Sequence, residues 1–258
     1  MKEFRFESLS KESGVEHVIS GRDCGAPLDF SLALHTGEPE EQVLRNREEL
    51  RCIFGEESRF VSALQVHGND VYVVETCEER GWKSLDCTLR ADALVTQCPG
   101  VVLSILTADC VPILLYAPHS RAVAAVHAGW RGCAQAILPK TVETMSRRFG
   151  VDPQEIIAGI GPAVGACCYE VGEEMAETFR DYPSALTYRN GSLHLDLKEI
   201  CRFQLISAGL REDRIETSPF CTACSGDDFF SYRGQEGCSG RFASCIMLRW
   251  GEGSFLGA

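Results

Sequence analysis

Residues 101–128 read VVLSILTADCVPILLYAPHSRAVAAVHA, three apolar runs separated only by TADC and APHS. Runs this continuous cannot turn one face to water, so they predict strands of a sheet covered on both sides. FVSALQV, DVYVVE, ADALVTQ and EIIAGIG add further strand patterns. Helical patterning falls in three places. Residues 39–54 open with Pro39 and carry Val43, Leu44, Leu50 and Phe54. Residues 196–209 begin with Asp196 and Glu199 in capping-box spacing, followed by Leu197, Cys201, Leu205 and Ala208 on one stripe. Residues 133–149 contain Pro139, which predicts a kink or a delayed start. Together these predict an α/β fold of layered mixed sheets flanked by helices, as one domain over residues 1–258 with no repeat or low-complexity linker.

The central hairpin carries chemistry at its open end. If 111–116 and 121–126 pair about a turn at 117–120, Cys110 faces His127. Directly opposed Cβ atoms stand about 4.5–5.5 Å apart, a separation that suits two ligands of one zinc or a thiolate–imidazolium pair. A third ligand decides between these, and His67, in the HGND stretch between two strand patterns, is the candidate. His67, Cys110 and His127 would form a site with one position open, the mark of a catalytic zinc. Spacing alone leaves the plainer reading open, in which each is a core or turn residue.

Charge narrows the function classes. At a net charge of −12 and pI near 5 there is no broad basic face for nucleic acid, so anions must be held by a few local arginines. The start, MKEFRFESLSKESG, has no apolar run of the kind found in a signal peptide or membrane span, which predicts a cytoplasmic protein without a membrane partner. Its 14 cysteines then read as reduced thiols. Cys221-x-x-Cys224 is the only C-x-x-C pair, and the cysteines that follow it, Cys238 and Cys245, are too widely spaced for a zinc ribbon. That spacing weighs against a second, structural zinc.

Four other stretches offer site residues. HAGWRGCAQ places Gly129, Arg131 and Gly132 at a strand-to-helix turn, suited to an anion or to an ordinary connection, with Trp130 as packing. GIGPAVGACCYEVG is glycine-rich but matches neither the dinucleotide fingerprint nor a P-loop. Asp92, Asp109 and Glu170 are carboxylates able to shuttle protons, although in a strand Asp109 would point away from the face of Cys110. DDFFSYRG gathers Phe229, Phe230, Tyr232 and Arg233 as an aromatic wall with one positive charge, or as core edge.

Taken in order, LQVHGNDV, ADALVTQCPGVVLSILTADCVPILLY, AVHAGWRG, GIGPAVGACCYEVG and FFSYR resemble the laccase-domain, or YfiH-like, family, long labelled polyphenol oxidases, over about residues 32–249. The resemblance implies a single α/β domain related to the cysteine-hydrolase fold of deamidating toxins. It implies one zinc on His67, Cys110 and His127, with copper as a possible substitute. It also implies phosphorolysis of adenosine, inosine and 5'-methylthioadenosine together with adenosine deamination; some bacterial members are described as peptidoglycan editing factors. Cys110, His127, Asp109 and Glu170 become the catalytic candidates. Arg22, Arg131, Phe229, Tyr232 and Arg233 become the candidates for binding nucleoside and phosphate. Departures lie near the start, where GRDCGAPLDFSLAL stands for the usual Arg, GGVS and SLNL: Arg22 and Ser31 align, the loop is shortened, and Ala33 replaces Asn. Ala223 stands where members with CTYC carry Tyr.

Three rivals stand beside a zinc nucleoside enzyme. A metal-free cysteine hydrolase, with Cys110 as nucleophile and His127 as base, would act on peptides or amides of the cell-wall pathway but leaves His67 without a task. A multicopper oxidase needs about ten histidines, often in His-x-His pairs, and this chain has 6 and no such pair. A thiol-based metal buffer or redox sensor predicts several metals or oxidisable cysteines per chain and no turnover.

Overall fold

In a computed structural model, which describes residues 1–84, 89–237 and 240–251, the strands assemble into three sheets. The largest has six strands in the order Ile215–Thr217, Ile157–Ile160, Val111–Ala117, Ala122–Ala128, Ala93–Thr96 and Val71–Val74. A second has five, Glu3–Phe4, Val15–Ser20, Phe242–Leu248, Val101–Thr107 and Arg59–Ser62. A small third sheet joins Glu170–Val171, Ser192–Leu195 and Leu186–Arg189.

The two large sheets pack face to face between helical layers, which is why their strands are apolar on both sides. Along Val111–Ala117, Leu114 and Tyr116 point into the space between the sheets, where they meet Leu103, Ile105, Phe242 and Ile246. Val111, Ile113, Leu115 and Ala117 point the other way, onto Leu138, Val142 and Met145 of the helix Ile137–Phe149 and Ile200 and Leu205 of the helix Leu197–Ser207. The outer face of the five-stranded sheet, with Val102, Ala243, Cys245 and Met247, is covered by Phe30, Leu32, Phe54, Trp82 and Leu50 of the helix Glu40–Arg51. Each such side chain taken fully from water contributes about 1.5–3 kcal/mol, so a polar residue in any of these runs would be felt from both layers.

The helix boundaries follow the local signals. Pro39 stands just before Glu40–Arg51. The Asp196 carboxylate accepts from the Glu199 N–H at 3.1 Å and starts Leu197–Ser207. Pro139 sits in the first turn of Ile137–Phe149, and a left-handed Ala136 (φ 56°) separates this helix from the short one at Trp130–Ala134.

Several strands escape the apolar-run criterion. Val15–Ser20 and Phe242–Leu248 contain His, Ser and Cys yet lie inside the five-stranded sheet. The third-sheet hairpin turns on Asn190-Gly191, both left-handed at φ 50° and 87°, in a two-residue turn.

The register of the central hairpin differs from the expected one. Pro112, not Cys110, faces His127, and Ala117 faces Ala122. The turn therefore spans residues 118–121, one residue further along. The reason lies outside the hairpin: the buried Glu155 carboxylate accepts from the His119 N–H at 2.7 Å, the Ser120 N–H at 3.3 Å and the Ser120 hydroxyl at 2.5 Å, while Arg121 takes the left-handed conformation (φ 48°).

Candidate active site and a four-cysteine cluster

Even with the shifted register, Cys110 and His127 meet, because Cys110 lies just beyond the strand, diagonal to His127 on the same face. Asp109, at φ 88°, makes the turn that presents it. His67, also left-handed at φ 58°, comes from the loop before Val71–Val74 and stands ring to ring with His127, centroids 4.8 Å apart at 81°. One ligand atom from each of His67, Cys110 and His127 lies within 4.8 Å of the other two. Close approach is secured by Gly129: a Cβ there would come within 3.1 Å of both the Cys110 Sγ and the His67 Cδ2.

Asp92, only 1% exposed, organises the group. Its carboxylate accepts from the backbone N–H groups of His67 (2.9 Å) and Gly68 (2.7 Å) and lies 2.8 Å from His127 Nδ1. This leaves Nε2 of His127 for a ligand and matches the carboxylate–histidine pairing that orients metal-binding imidazoles. Burial drives the Cys110 thiol up, but the charge and hydrogen bonds of His127 and His67 outweigh it and hold the thiol near 6. Burial lowers the His127 imidazolium, but Cys110 and Asp92 outweigh it and raise it to about 9. Thiolate sulfur and imidazole nitrogen suit zinc, so the residues present fit that ion.

The group opens on a cavity of about 520 Å3, within the usual range for small-molecule sites. Its walls include His35, Arg47, Gln65, Trp130, Tyr169, Tyr232, Arg233 and Arg241. Gln65 exchanges two hydrogen bonds with the backbone of Leu106, at 2.7 and 2.8 Å, and so seals the wall beside His67. Arg47 is buried, donates to the carbonyls of Leu32 and Trp82 and stacks on the Trp82 ring at 4.6 Å. The Arg233 guanidinium lies 5.3 Å from the Tyr169 ring centroid.

The candidates from the sequence separate into two sets. His67, Cys110, His127, Asp109, Tyr232 and Arg233 line the cavity. Asp109 is not free to shuttle a proton: its carboxylate accepts from the Thr222 hydroxyl, the Ser231 hydroxyl and the Arg233 N–H, each at 2.6 Å. Nor is it in a strand. Glu170 is exposed on the edge of the small sheet, opposite His194 and outside the cavity. Arg22 points elsewhere, to Asp29 and the Gly226 carbonyl. Phe229 is 0% exposed, packed on Phe4, Phe220 and Phe242, and is core rather than wall. Arg131 is exposed and folds back over the Trp130 ring at 4.4 Å, while Trp130 itself reaches the cavity.

Sequence reading missed His35, Arg47 and Arg241, which come from segments without a site motif. Asp92 was legible only as one carboxylate among several. Nor does the spacing after Cys221 and Cys224 lead to the thiols that join them. The sulfurs near Cys221 and Cys224 are those of Cys167 and Cys168, and the four lie within 4.8 Å of one another, able to hold a metal ion. Cys245 is buried in a strand, and Cys238 lies outside the described residues.

Fold and site define a three-sheet α/β protein with a metal-compatible His/His/Cys group at the floor of a small-molecule cavity. The chain belongs to the multi-copper polyphenol oxidoreductase laccase family, whose model matches residues 16–249. It is 34% identical to a purine nucleoside phosphorylase of Bacteroides thetaiotaomicron, over 94% of this chain and 95% of that one. It is 36% identical to the purine nucleoside phosphorylase YlmD of Geobacillus stearothermophilus, over 92% and 90%. The crystal structure of YlmD from Geobacillus stearothermophilus superposes with a TM-score of 0.86 at 32% identity, covering 92% of this chain and 93% of that one. That of the Bacillus licheniformis hypothetical protein YfiH gives 0.85 at 34%, covering 91% and 93%. Among the described residues no helix is long and apolar enough to cross a membrane.

Proposed function

We propose that this chain is a purine nucleoside phosphorylase that works with zinc on His67, Cys110 and His127, splitting adenosine, inosine and 5'-methylthioadenosine with phosphate and also deaminating adenosine. The observation that carries this reading is the three-ligand group, backed by Asp92, at the floor of a cavity walled by aromatic rings and arginines. It is supported by relatives named purine nucleoside phosphorylase that match over nine tenths of the chain.

When bound, zinc supplies Lewis acidity and lowers the pKa of water to about 7. The residues around it do the rest. Asp92 holds the His127 ring and the His67 backbone in place. Tyr169, Tyr232 and Trp130 offer flat faces to a purine, and Arg233 and Arg241 in the cavity wall bring positive charge to phosphate. Asp109 is a positioning residue: its grip on the Arg233 N–H and the Ser231 hydroxyl sets where Tyr232 and Arg233 stand.

One observation favours a second reading. Cys110, His127 and Asp92 also form a thiol–imidazole–carboxylate series, with the thiol lowered and the imidazolium raised, as an activated cysteine nucleophile requires. Its substrates would be amides such as cell-wall precursor peptides. Incubation of metal-quantified protein with adenosine, with and without phosphate, separates the two. Phosphate-dependent adenine, or inosine without phosphate, lost in Cys110→Ala together with one zinc equivalent, is the expected result. No turnover while that zinc equivalent is present overturns the nucleoside reading and leaves the amide one.

A further inference from the structure

Cys167 and Cys168 sit in a tight turn where the Cys168 and Tyr169 N–H groups donate to the Gly165 carbonyl at 2.9 and 3.0 Å. Cys221 and Cys224 sit in a second, where the Cys224 and Ser225 N–H groups donate to the Cys221 carbonyl at 3.1 and 2.9 Å. An isolated bridge between Ala163 and Cys221 holds the two turns together. The Sγ atom of Cys224 lies 3.6 Å from that of Cys167 and 3.4 Å from that of Cys168. Four sulfurs at about 2.3 Å from one tetrahedral ion stand about 3.8 Å apart. Sulfurs joined in a disulfide stand about 2.05 Å apart, far closer than either of these distances, and all four cysteines are free.

We propose that Cys167, Cys168, Cys221 and Cys224 bind a structural zinc ion as four thiolates, a second metal site separate from the cavity. Binding releases the four thiol protons to solvent and leaves a net negative centre. Two features of the surroundings suit that charge: the Gly165 N–H donates to the Cys221 Sγ at 3.2 Å, and the buried Lys198 ammonium, held by the carbonyls of Ser218 and Phe220, adds a nearby positive charge. Gly165 leaves room for them: a Cβ there would press on the Cys167 Sγ at 3.2 Å and the Cys221 Sγ at 3.4 Å. With four protein ligands the site has no open position, so its work is structural. What it fastens is the cavity wall. Thr222, next to Cys221, donates to Asp109, and Tyr169, next to Cys168, faces the cavity under Arg233.

The test uses the full chain carrying Cys110→Ala, which dismantles the cavity group and so stands apart from the nucleoside reading. Purified under reducing conditions and exposed to zinc, it should retain about one zinc per chain, with four sulfur neighbours at about 2.3 Å in X-ray absorption. Adding Cys221→Ser and Cys224→Ser should remove that zinc. If the triple variant does not fold, the absorption spectrum of the single variant still decides. A Cys110→Ala protein that binds no zinc, holds it through nitrogen or oxygen, or shows these cysteines paired as disulfides under reducing conditions overturns the proposal.

Discussion

Two groups of soft ligands lie close in this fold and are built in opposite ways. His67, Cys110 and His127 mix nitrogen with sulfur, lean on the buried Asp92 carboxylate and open on a cavity. Cys167, Cys168, Cys221 and Cys224 are sulfur alone, sit on two turns and take backbone N–H support instead of a carboxylate. With zinc on each, as proposed, the contrast is between a centre kept short of one ligand so that something else can bind, and one that is complete in itself. Asp109 joins them. It precedes Cys110 in the chain and accepts from Thr222, which follows Cys221, so the closed cluster braces the wall of the open one.

That contrast can be broken by mutation. The largest effect is expected at Cys110: Cys110→Ala should bring adenosine turnover to background while thermal unfolding stays cooperative, whereas an active variant would end the distinction. Next comes Asp92→Asn, which keeps the shape but weakens the hold on His127; a loss of about 10–100-fold in zinc affinity or in kcat/KM is expected, measured by metal competition and by phosphorolysis. Cys224→Ser should act mainly on stability, lowering Tm by several degrees with a smaller loss of kcat through the Asp109 hub. A variant as stable as the wild type would show that the four sulfurs brace nothing.

The smallest effect near neutrality belongs to the scaffold and must be subtracted before acid effects on either group are interpreted. His17, buried in Val15–Ser20, accepts from the Phe6 N–H at 2.8 Å, and burial with the nearby Arg5 charge lowers its pKa to about 4. Above pH 6.5 it is neutral folded and unfolded. Between 6.5 and about 4 only the unfolded chain takes the proton, so stability falls with pH, by about 3 kcal/mol in all. His17→Gln should flatten that part of the urea-denaturation profile while leaving turnover at neutral pH unchanged.

Much of the layered architecture was legible because continuous apolar runs have one common explanation, burial on both faces. Val15–Ser20 and Phe242–Leu248 were not, since the polar side chains they carry are buried by their neighbours in the sheet: Ser20 exchanges hydrogen bonds with the Ala243 backbone. The grouping of His67, Cys110 and His127 was legible from the hairpin and HGND, although the pairing behind it was two residues off and its turn one, because Glu155, distant in sequence, decides the turn. Glu170 and Phe229 show the opposite failure. Residue type made each a candidate, and three-dimensional placement removed both.

What the sequence by itself determined is the periodicity of burial, the helix caps at Asp196 and Pro39, and the family motifs, all of which are local or near-local in their physics. Tertiary structure alone decided which thiols share an ion-sized space, which carboxylate is free, and which arginines face the cavity. These depend on loops meeting across large sequence separations, Cys168 with Cys224 and Asp109 with Ser231, where no spacing rule operates and the packed sheets set the distance.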